Sequence, residues 1–218
     1  GSPLSFVRSS HLLHHQYNRS PIETFDRFDP TQKDQKKANK IFYSLLFGGI
    51  YLYEFLGHWK FLLPKERLEA FVGRVYTKET MGRKQFERLK DNLSEMRIDS
   101  LAILLLLALS AYAWSGILWA WFSLFVMRAF MISFLDNVYH YGTPLFRGEL
   151  SYNLWLPKAL SKYLFHFNYH QTHHRWPTIP WSELPRAFEL SGDVFHRDYR
   201  KQAWKQLEGA VPDISSQT

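Results

Sequence analysis

The sequence predicts an all-α protein with integral membrane helices and a cytosolic helical cap that carries histidine clusters. Three observations predict this class. An apolar block at 101–135 has Arg128 as its only charge. Two clusters with the spacing H-x-x-H-H occur at 11–15 and 170–174, and residues three and four apart share one face of a helix. The chain contains no cysteine, which excludes disulfides and cysteine-ligated metal sites.

The N-terminal part of the chain carries the first cluster. Residues 4–17 are predicted to form a short helix around it. An uncharged run follows at 41–53, and it is too short to be a confident membrane span. We therefore predict that 41–57 is a re-entrant or interfacial helix, bent at Gly48-Gly49.

The apolar block at 101–135 is predicted to be a transmembrane hairpin. As one helix it would be roughly 50 Å long, well beyond the ~30 Å hydrocarbon core. One helix is predicted to end at Ala113 and the next to begin at Ile117, with Trp114-Ser115-Gly116 as the turn. The alternative is a buried helix pair of a soluble protein, which the uncharged run from Leu101 disfavours.

Topology supports this hairpin if both clusters build one site, because an even number of crossings must then separate them. Basic residues flank the block on both sides, which favours the cytoplasmic side for the site. Segment 58–100 is predicted to be a charged, solvent-facing connector with ten basic residues. In the alternative arrangement, one helix crosses the membrane at 41–62 and another at 101–127. The ten basic residues would then lie on the non-cytoplasmic side, so we rank this arrangement second.

Residues 136–209 are predicted to form the cytosolic cap. Asp136 and His140 are four residues apart, on one predicted helical face that Gly142 and Pro144 end. The remaining segments are a helix at about 157–174 with the second cluster, an amphipathic helix at 185–209 and a disordered tail at 210–218. The whole chain, 1–218, is interpreted as a single, partial domain.

The number of clustered histidines indicates a metal site. Imidazole suits zinc, copper, iron and nickel, and one zinc ion would use only three or four such ligands. Seven imidazoles therefore predict two metal ions. The predicted ligands are His11, His14, His15, His140, His170, His173 and His174. Because they lie next to predicted membrane helices, a long apolar substrate could reach them from the bilayer.

Simpler roles stay open for several polar residues. His140 alone could be a hydrogen-bonded histidine, and Asp136 could equally be a helix cap or an ion-pair partner. His166 is interpreted as structural or as a support of the site. His58 and His196 are interpreted as ordinary histidines.

Three motifs resemble those of the membrane fatty acid desaturase superfamily, which includes related hydroxylases and carotenoid ketolases. They are the two H-x-x-H-H clusters, the segment 136–142 and the segment 168–174. The resemblance covers about residues 8–188. It implies an oxidoreductase with a histidine-ligated di-iron centre on the cytosolic face, which uses dioxygen as co-substrate and introduces a double bond into an acyl chain. A hydroxylase or ketolase remains an alternative, as does a non-catalytic membrane metal-binding protein.

The resemblance also implies a role for each matching residue. His11, His14 and His15 match the second histidine box, and His140 matches the extra histidine between the boxes. The third box is matched by His170, His173 and His174. Asp136 would be a water-mediated ligand. Candidates to accept the other N–H of a metal-bound histidine are Asn168, Asp26 and Asp29.

One departure from the family pattern is serious. The first histidine box of the superfamily should lie upstream of His11, and it does not occur in this sequence. We therefore expect a C-terminal fragment of a longer desaturase. Lacking two iron ligands, the fragment is expected to be inactive as it stands.

Charge and motifs also predict the partners. No nucleotide-binding loop is present, so electrons would come from a separate carrier such as ferredoxin or cytochrome b5. Such carriers are commonly acidic, which suits a net charge of +7. The acyl substrate would be linked to CoA, a carrier protein or a lipid. No nucleic-acid-binding signature appears, so no nucleic acid partner is predicted.

Overall fold

The computed structural model describes residues 2–76, 79–145 and 151–213. The regular secondary structure of these residues is helical apart from two short two-stranded sheets, which confirms the predicted all-α class. The helices are α1 Leu4–Tyr17, α2 Gln35–Ser44, α3 Ile50–Gly57, α4 Lys65–Val75, α5 Met81–Leu89, α6 Leu93–Ala113, α7 Leu118–Val138, α8 Lys158–Tyr163, α9 His170–Arg175, α10 Leu184–Leu190 and α11 Tyr199–Lys205. The strands are β1 Arg27–Phe28, β2 Leu154–Trp155, β3 Arg197–Asp198 and β4 Val211–Pro212.

The chain divides into two compact units. Unit 1 consists of Gly1–Asn18 and Phe47–Ser133, and unit 2 consists of Arg19–Leu46 and Phe134–Thr218. The first histidine cluster therefore belongs to unit 1 and the second to unit 2. Unit 2 contains the segment predicted to be the cap, 136–209, and also residues 19–46.

The core of unit 1 joins α1 to the segment that the sequence predicted to be a solvated connector. Phe6 of α1 is buried in one cluster with Leu68 of α4, Phe86 of α5 and Met96 of α6. The connector prediction was therefore wrong for the inward faces of these helices. Their charged residues occupy the other faces, so that a helical stripe of apolar residues is hidden among many charges.

The apolar block forms the predicted helical hairpin. A 3₁₀ turn at Ser115–Ile117 joins α6 to α7, where the sequence placed the turn. Trp121 Nε1 donates a hydrogen bond to Ser110 Oγ at 2.9 Å, which links the two helices. Both helices are long and apolar enough to cross a membrane, and only 11% of the most apolar stretch of each is buried. Such exposure disfavours the alternative of a buried pair and indicates association with a membrane.

The predicted bend in the segment 41–57 is confirmed. Helix α2 ends at Ser44, and Gly48 adopts a φ of 130° before α3 begins. A side chain would be strained in that conformation, so glycine suits this position. The placement of this segment at a membrane stays a prediction.

Two parallel strand pairs and two apolar clusters organise unit 2. Arg27 of β1 is opposite Val211 of β4, and Leu154 of β2 is opposite Arg197 of β3. One cluster surrounds Phe42 and Tyr141, and the other surrounds Leu154, Val138 and Tyr199. These contacts surround the segments that carry the second set of histidines.

Three C-terminal predictions need correction. The helix expected at about 157–174 is two helices, because Phe165 and His166 have positive φ values of 50° and 57° between them. The helix expected at 185–209 is interrupted by β3, after Gly192 with φ 65°. Of the tail expected to be disordered, Val211–Pro212 pair with β1, and residues 214–218 lie outside the described residues.

Candidate metal centre

Three imidazoles of unit 2 point their Nε2 atoms at one place. His140 Nε2 lies 2.9 Å from His170 Nε2, which in turn lies 3.2 Å from His174 Nε2. Two nitrogens that bind one ion at right angles, each at about 2.1 Å, would be about 3.0 Å apart. The three donor atoms therefore have the spacing of ligands around one metal ion. We call these residues the histidine trio.

The trio is assembled from two places in the sequence. His170 and His174 are one turn apart on α9 and share a face. His140 follows α7 in a tight turn and is buried, as is His170. The sequence predicted that Asp136 and His140 lie on one face of the same helix. Helix α7 ends at Val138, so His140 lies outside the helix that contains Asp136.

The ring of the remaining histidine of the second cluster lies beside the trio, slightly further away than the rings of the trio lie from one another. The ring centre of His173 lies 5.7 Å from that of His170 and 5.8 Å from that of His174. Three residues make about 300° of rotation around a helix, so His173 lies on the same broad side as His170 but is offset from it in the direction opposite to His174.

The cluster of unit 1 repeats this local geometry on α1. His11 Nε2 and His15 Nε2 are 3.1 Å apart, a ligand-like spacing. The ring of His14 lies 6.2 Å from that of His11 and 5.9 Å from that of His15. Each cluster thus offers a close pair and a third imidazole on an adjacent face.

Asp26 fixes the turn after His140 through the backbone. Its Oδ2 accepts a hydrogen bond from Gly142 N at 2.8 Å, and its Oδ1 pairs with Arg19. Arg19 donates to the carbonyl of Thr143, and Arg27 donates to the same carbonyl at 3.0 Å. Both members of the buried pair are almost fully inaccessible, with side-chain exposures of 3% and 2%. We call Asp26 and Arg19, with the turn they hold, the charge clamp.

The charge clamp extends to His140 itself. Thr143 Oγ1 donates to the carbonyl of His140 at 2.8 Å, and the Thr143 amide donates to the same oxygen at 3.0 Å. Within the described residues, the two oxygens of Asp26 bond to Arg19 and Gly142. Asp26 therefore holds the turn after His140 through its backbone, and its role as the direct partner of a histidine ring stays a prediction.

The other polar candidates have different surroundings. Asn168 is buried, accepts from Ser161 Oγ at 2.6 Å and donates to Leu154 O at 3.0 Å, so it fastens β2 to the loop before α9. Asp29 closes a turn, and hydrogen bonds from Thr31 lower the pKa of its carboxyl. Asp136 is exposed and does not belong to the convergent donor groups found among the described residues.

Sequence reasoning missed the polar frame that holds α9. Asn153 Oδ1 accepts from Thr172 N at 3.1 Å, and Thr172 Oγ1 donates to Asp193 Oδ2 at 2.7 Å. Arg175 forms an ion pair with Asp193. Thr172 lies inside the second cluster, but nothing in the sequence marks Asn153 or Asp193 as its partners.

One aromatic residue also covers the trio. The ring of Tyr139 stacks on His170 with centres 4.5 Å apart and an interplanar angle of 23°. Burial raises the pKa of Tyr139 well above its usual value, so its phenol stays neutral. This ring shields one face of a candidate ligand from water.

A family model for fatty acid desaturases matches residues 1–205. The chain belongs to the fatty acid desaturase family. No curated protein and no solved structure matches it. Membership makes the protein an oxidoreductase of lipid metabolism. The desaturase family is known for using two irons, and imidazole nitrogens are suitable iron ligands, so the donor set of the trio fits a metal of this kind.

Proposed function

We propose that the protein is an oxygen-dependent fatty acyl desaturase with a histidine-ligated di-iron centre. The observation that carries the proposal is the trio, whose three Nε2 atoms have ligand spacing in a member of the desaturase family. In the net reaction, an acyl chain loses two hydrogens and gains a double bond. One dioxygen takes up four electrons and four protons to give two waters, and a separate carrier supplies two of those electrons.

The trio is proposed to hold one iron. The remaining histidines are proposed to contribute ligands to the di-iron centre: His11, His14, His15 and His173. This second assignment is supported by the repeated motif and by family membership. Asp136 stays proposed as a water-mediated ligand, whereas Asn168 and Asp26 are proposed to support the site through backbone groups. Asp29 stays a weaker candidate for support.

The bound irons would supply dioxygen activation, and the protein would prepare their surroundings. The charge clamp would hold the turn that contains His140. The hydrogen bonds of Thr172 with Asn153 and Asp193 would position α9, which carries His170 and His174. The stacked ring of Tyr139 and the burial of His170 exclude water from that side. Ligand imidazoles must be neutral at the coordinating nitrogen, so metal affinity is expected to fall in acid, where protons compete for these nitrogens.

The proposed context is a cytoplasmic-facing site in an integral membrane protein. The acyl group would be carried by CoA, a carrier protein or a lipid, and electrons would come from ferredoxin or cytochrome b5. On α5, Lys84 pairs with Glu79 at 2.8 Å and Arg83 with Glu87 at 3.2 Å. These acids reduce the local positive charge of α5, so this helix alone is a weak docking surface for an acidic carrier.

The test is the metal content of the detergent-purified protein, measured by elemental analysis, together with acyl product analysis of this chain and of one extended upstream to include a first histidine box. We expect bound iron in the natural sequence and its loss in His170→Ala. The control is Lys205→Ala, since Lys205 is exposed at the end of α11 and lies outside the trio. Zinc alone, or no metal, would overturn the proposal and favour a non-catalytic metal-binding protein. A hydroxylated or keto product would assign another reaction of the superfamily.

A further inference from the structure

The stretch from residue 151 to residue 182 contains no acidic residue, although it includes three lysines or arginines. It also exposes large apolar side chains that do not belong to the apolar hairpin. Its most exposed part is a surface that we call the aromatic–basic patch. The patch consists of Lys158, Leu160, Lys162, Tyr163, Phe165 and Trp181.

The apolar members of the patch are strongly exposed. Tyr163 is 82% exposed, Phe165 56%, Leu160 52% and Trp181 46%. Single exposed apolar residues are ordinary on soluble surfaces, whereas several together mark a surface that contacts something. In α8, only Ser161 is buried, so almost the whole helix faces outward.

Local hydrogen bonds and ring contacts hold the patch together. The amide of Phe165 donates to the carbonyl of Lys162 at 3.1 Å, and the amide of His166 donates to that of Ser161 at 2.8 Å. This turn places the ring of Phe165 edge-on against Trp181, with centres 5.1 Å apart. The patch is thus continuous from α8 to the loop after α9, within unit 2.

The charges of the patch suit an anionic surface. Lys158 and Lys162 are exposed and form no ion pair with a described residue. Aromatic residues mixed with lysine are typical of the boundary between lipid headgroups and acyl chains. The lysine stems can lie along the apolar layer while their ammonium groups reach the phosphates.

We propose that the aromatic–basic patch is a second membrane contact, which lies in the headgroup region of an anionic bilayer in addition to the apolar hairpin. An acidic electron carrier is the competing partner. Transient complexes of that kind are small and guided by charge, whereas four of the six patch residues are large and apolar. A lipid surface would cover them continuously, which favours the bilayer. This proposal requires neither bound iron nor desaturase activity.

The absence of cysteine from the sequence allows a direct test with single nitroxide labels. The full chain would be reconstituted in nanodiscs of phosphatidylcholine with phosphatidylglycerol, labelled at Tyr163→Cys. The matched control is Leu190→Cys, at the end of α10, since Leu190 is 79% exposed and follows Glu189. We expect the label at 163 to collide several-fold more with oxygen, relative to a water-soluble nickel chelate, than the label at 190. Equal access of the chelate to both labels would overturn the proposal.

Two further variants keep the test decisive. Leu160→Cys repeats the measurement on another exposed position, in case the first label disturbs the turn. Charge reversal by Lys158→Glu with Lys162→Glu should move the label at 163 toward water in anionic nanodiscs and leave it unchanged in neutral ones. If the label is water-accessible in the bilayer and becomes protected only when an acidic electron carrier is added, the patch is a protein-docking surface and the lipid proposal is wrong.

Discussion

The helices α1 and α9 carry the same H-x-x-H-H spacing and give it the same local geometry. The first and last histidines of each cluster have Nε2 atoms 3.1 Å apart in α1 and 3.2 Å apart in α9. In both helices the middle histidine is turned to an adjacent face. One helical turn brings residues four apart together, so this arrangement is a property of the motif itself.

The two helices differ in what holds them. Helix α1 has 14 residues and buries Phe6 and Leu13, with Phe6 in the apolar core of unit 1. Helix α9 has only 6 residues, far fewer than an isolated helix needs to be stable. Its support comes from polar contacts of Thr172 and Arg175. The same histidine pair is thus stabilised by apolar burial in one unit and by hydrogen bonds in the other.

The largest effect is expected from Phe6→Ala in α1. Phe6 is fully buried, and removing such a ring usually costs about 3–5 kcal/mol because it leaves a cavity. The free energy of unfolding of unit 1 should fall by that amount in a denaturant titration. Leu4→Ala is the control on the same helix, since Leu4 is 78% exposed. Equal losses in both variants would show that apolar burial does not hold α1.

A somewhat smaller effect is expected from Asp26→Asn in the charge clamp. The variant leaves the buried Arg19 without its counter-charge, which should cost about 3 kcal/mol in the free energy of unfolding. It should also weaken metal binding by the trio, because the turn after His140 loses its anchor. Asp34→Asn is the control, since Asp34 is exposed and caps α2, a role that asparagine also fills.

The metal affinities of the two aspartate variants can be compared by titrating cobalt(II) into each protein and recording its absorption spectrum. We expect the spectrum to weaken in Asp26→Asn and to stay unchanged in Asp34→Asn. An unchanged spectrum in both would mean that the trio is positioned without the charge clamp.

Sequence reasoning succeeded where the interaction is local. The pairs His11–His15 and His170–His174 follow from helical spacing, and the hairpin follows from one long apolar run. It failed where partners are distant in sequence. Asp26 contacts Gly142 across more than a hundred residues, and no pattern in the sequence joins them.

The break before α9 was missed for a related reason. Phe165 and His166 have positive φ values, which are unusual for residues other than glycine. Asn168 in this loop donates to Leu154 O of β2, and Leu154 N donates to Asn168 O. Tertiary contacts therefore override a stretch whose composition favours a continuous helix.

The smallest effect is expected from Thr172→Val, which tests the polar support of α9. Valine has the shape of threonine but cannot donate to Asp193, so the variant should lose about 1–2 kcal/mol. It should weaken metal binding by His170 and His174, while the His11–His15 pair of α1 keeps its geometry. Thr178→Val is the matched control, since Thr178 is exposed. If Thr172→Val binds metal as well as the natural sequence does, the polar contacts of Thr172 do not hold α9. Metal binding by His170 and His174 would then stabilise α9, and α1 and α9 would differ in whether metal is needed to stabilise the helix.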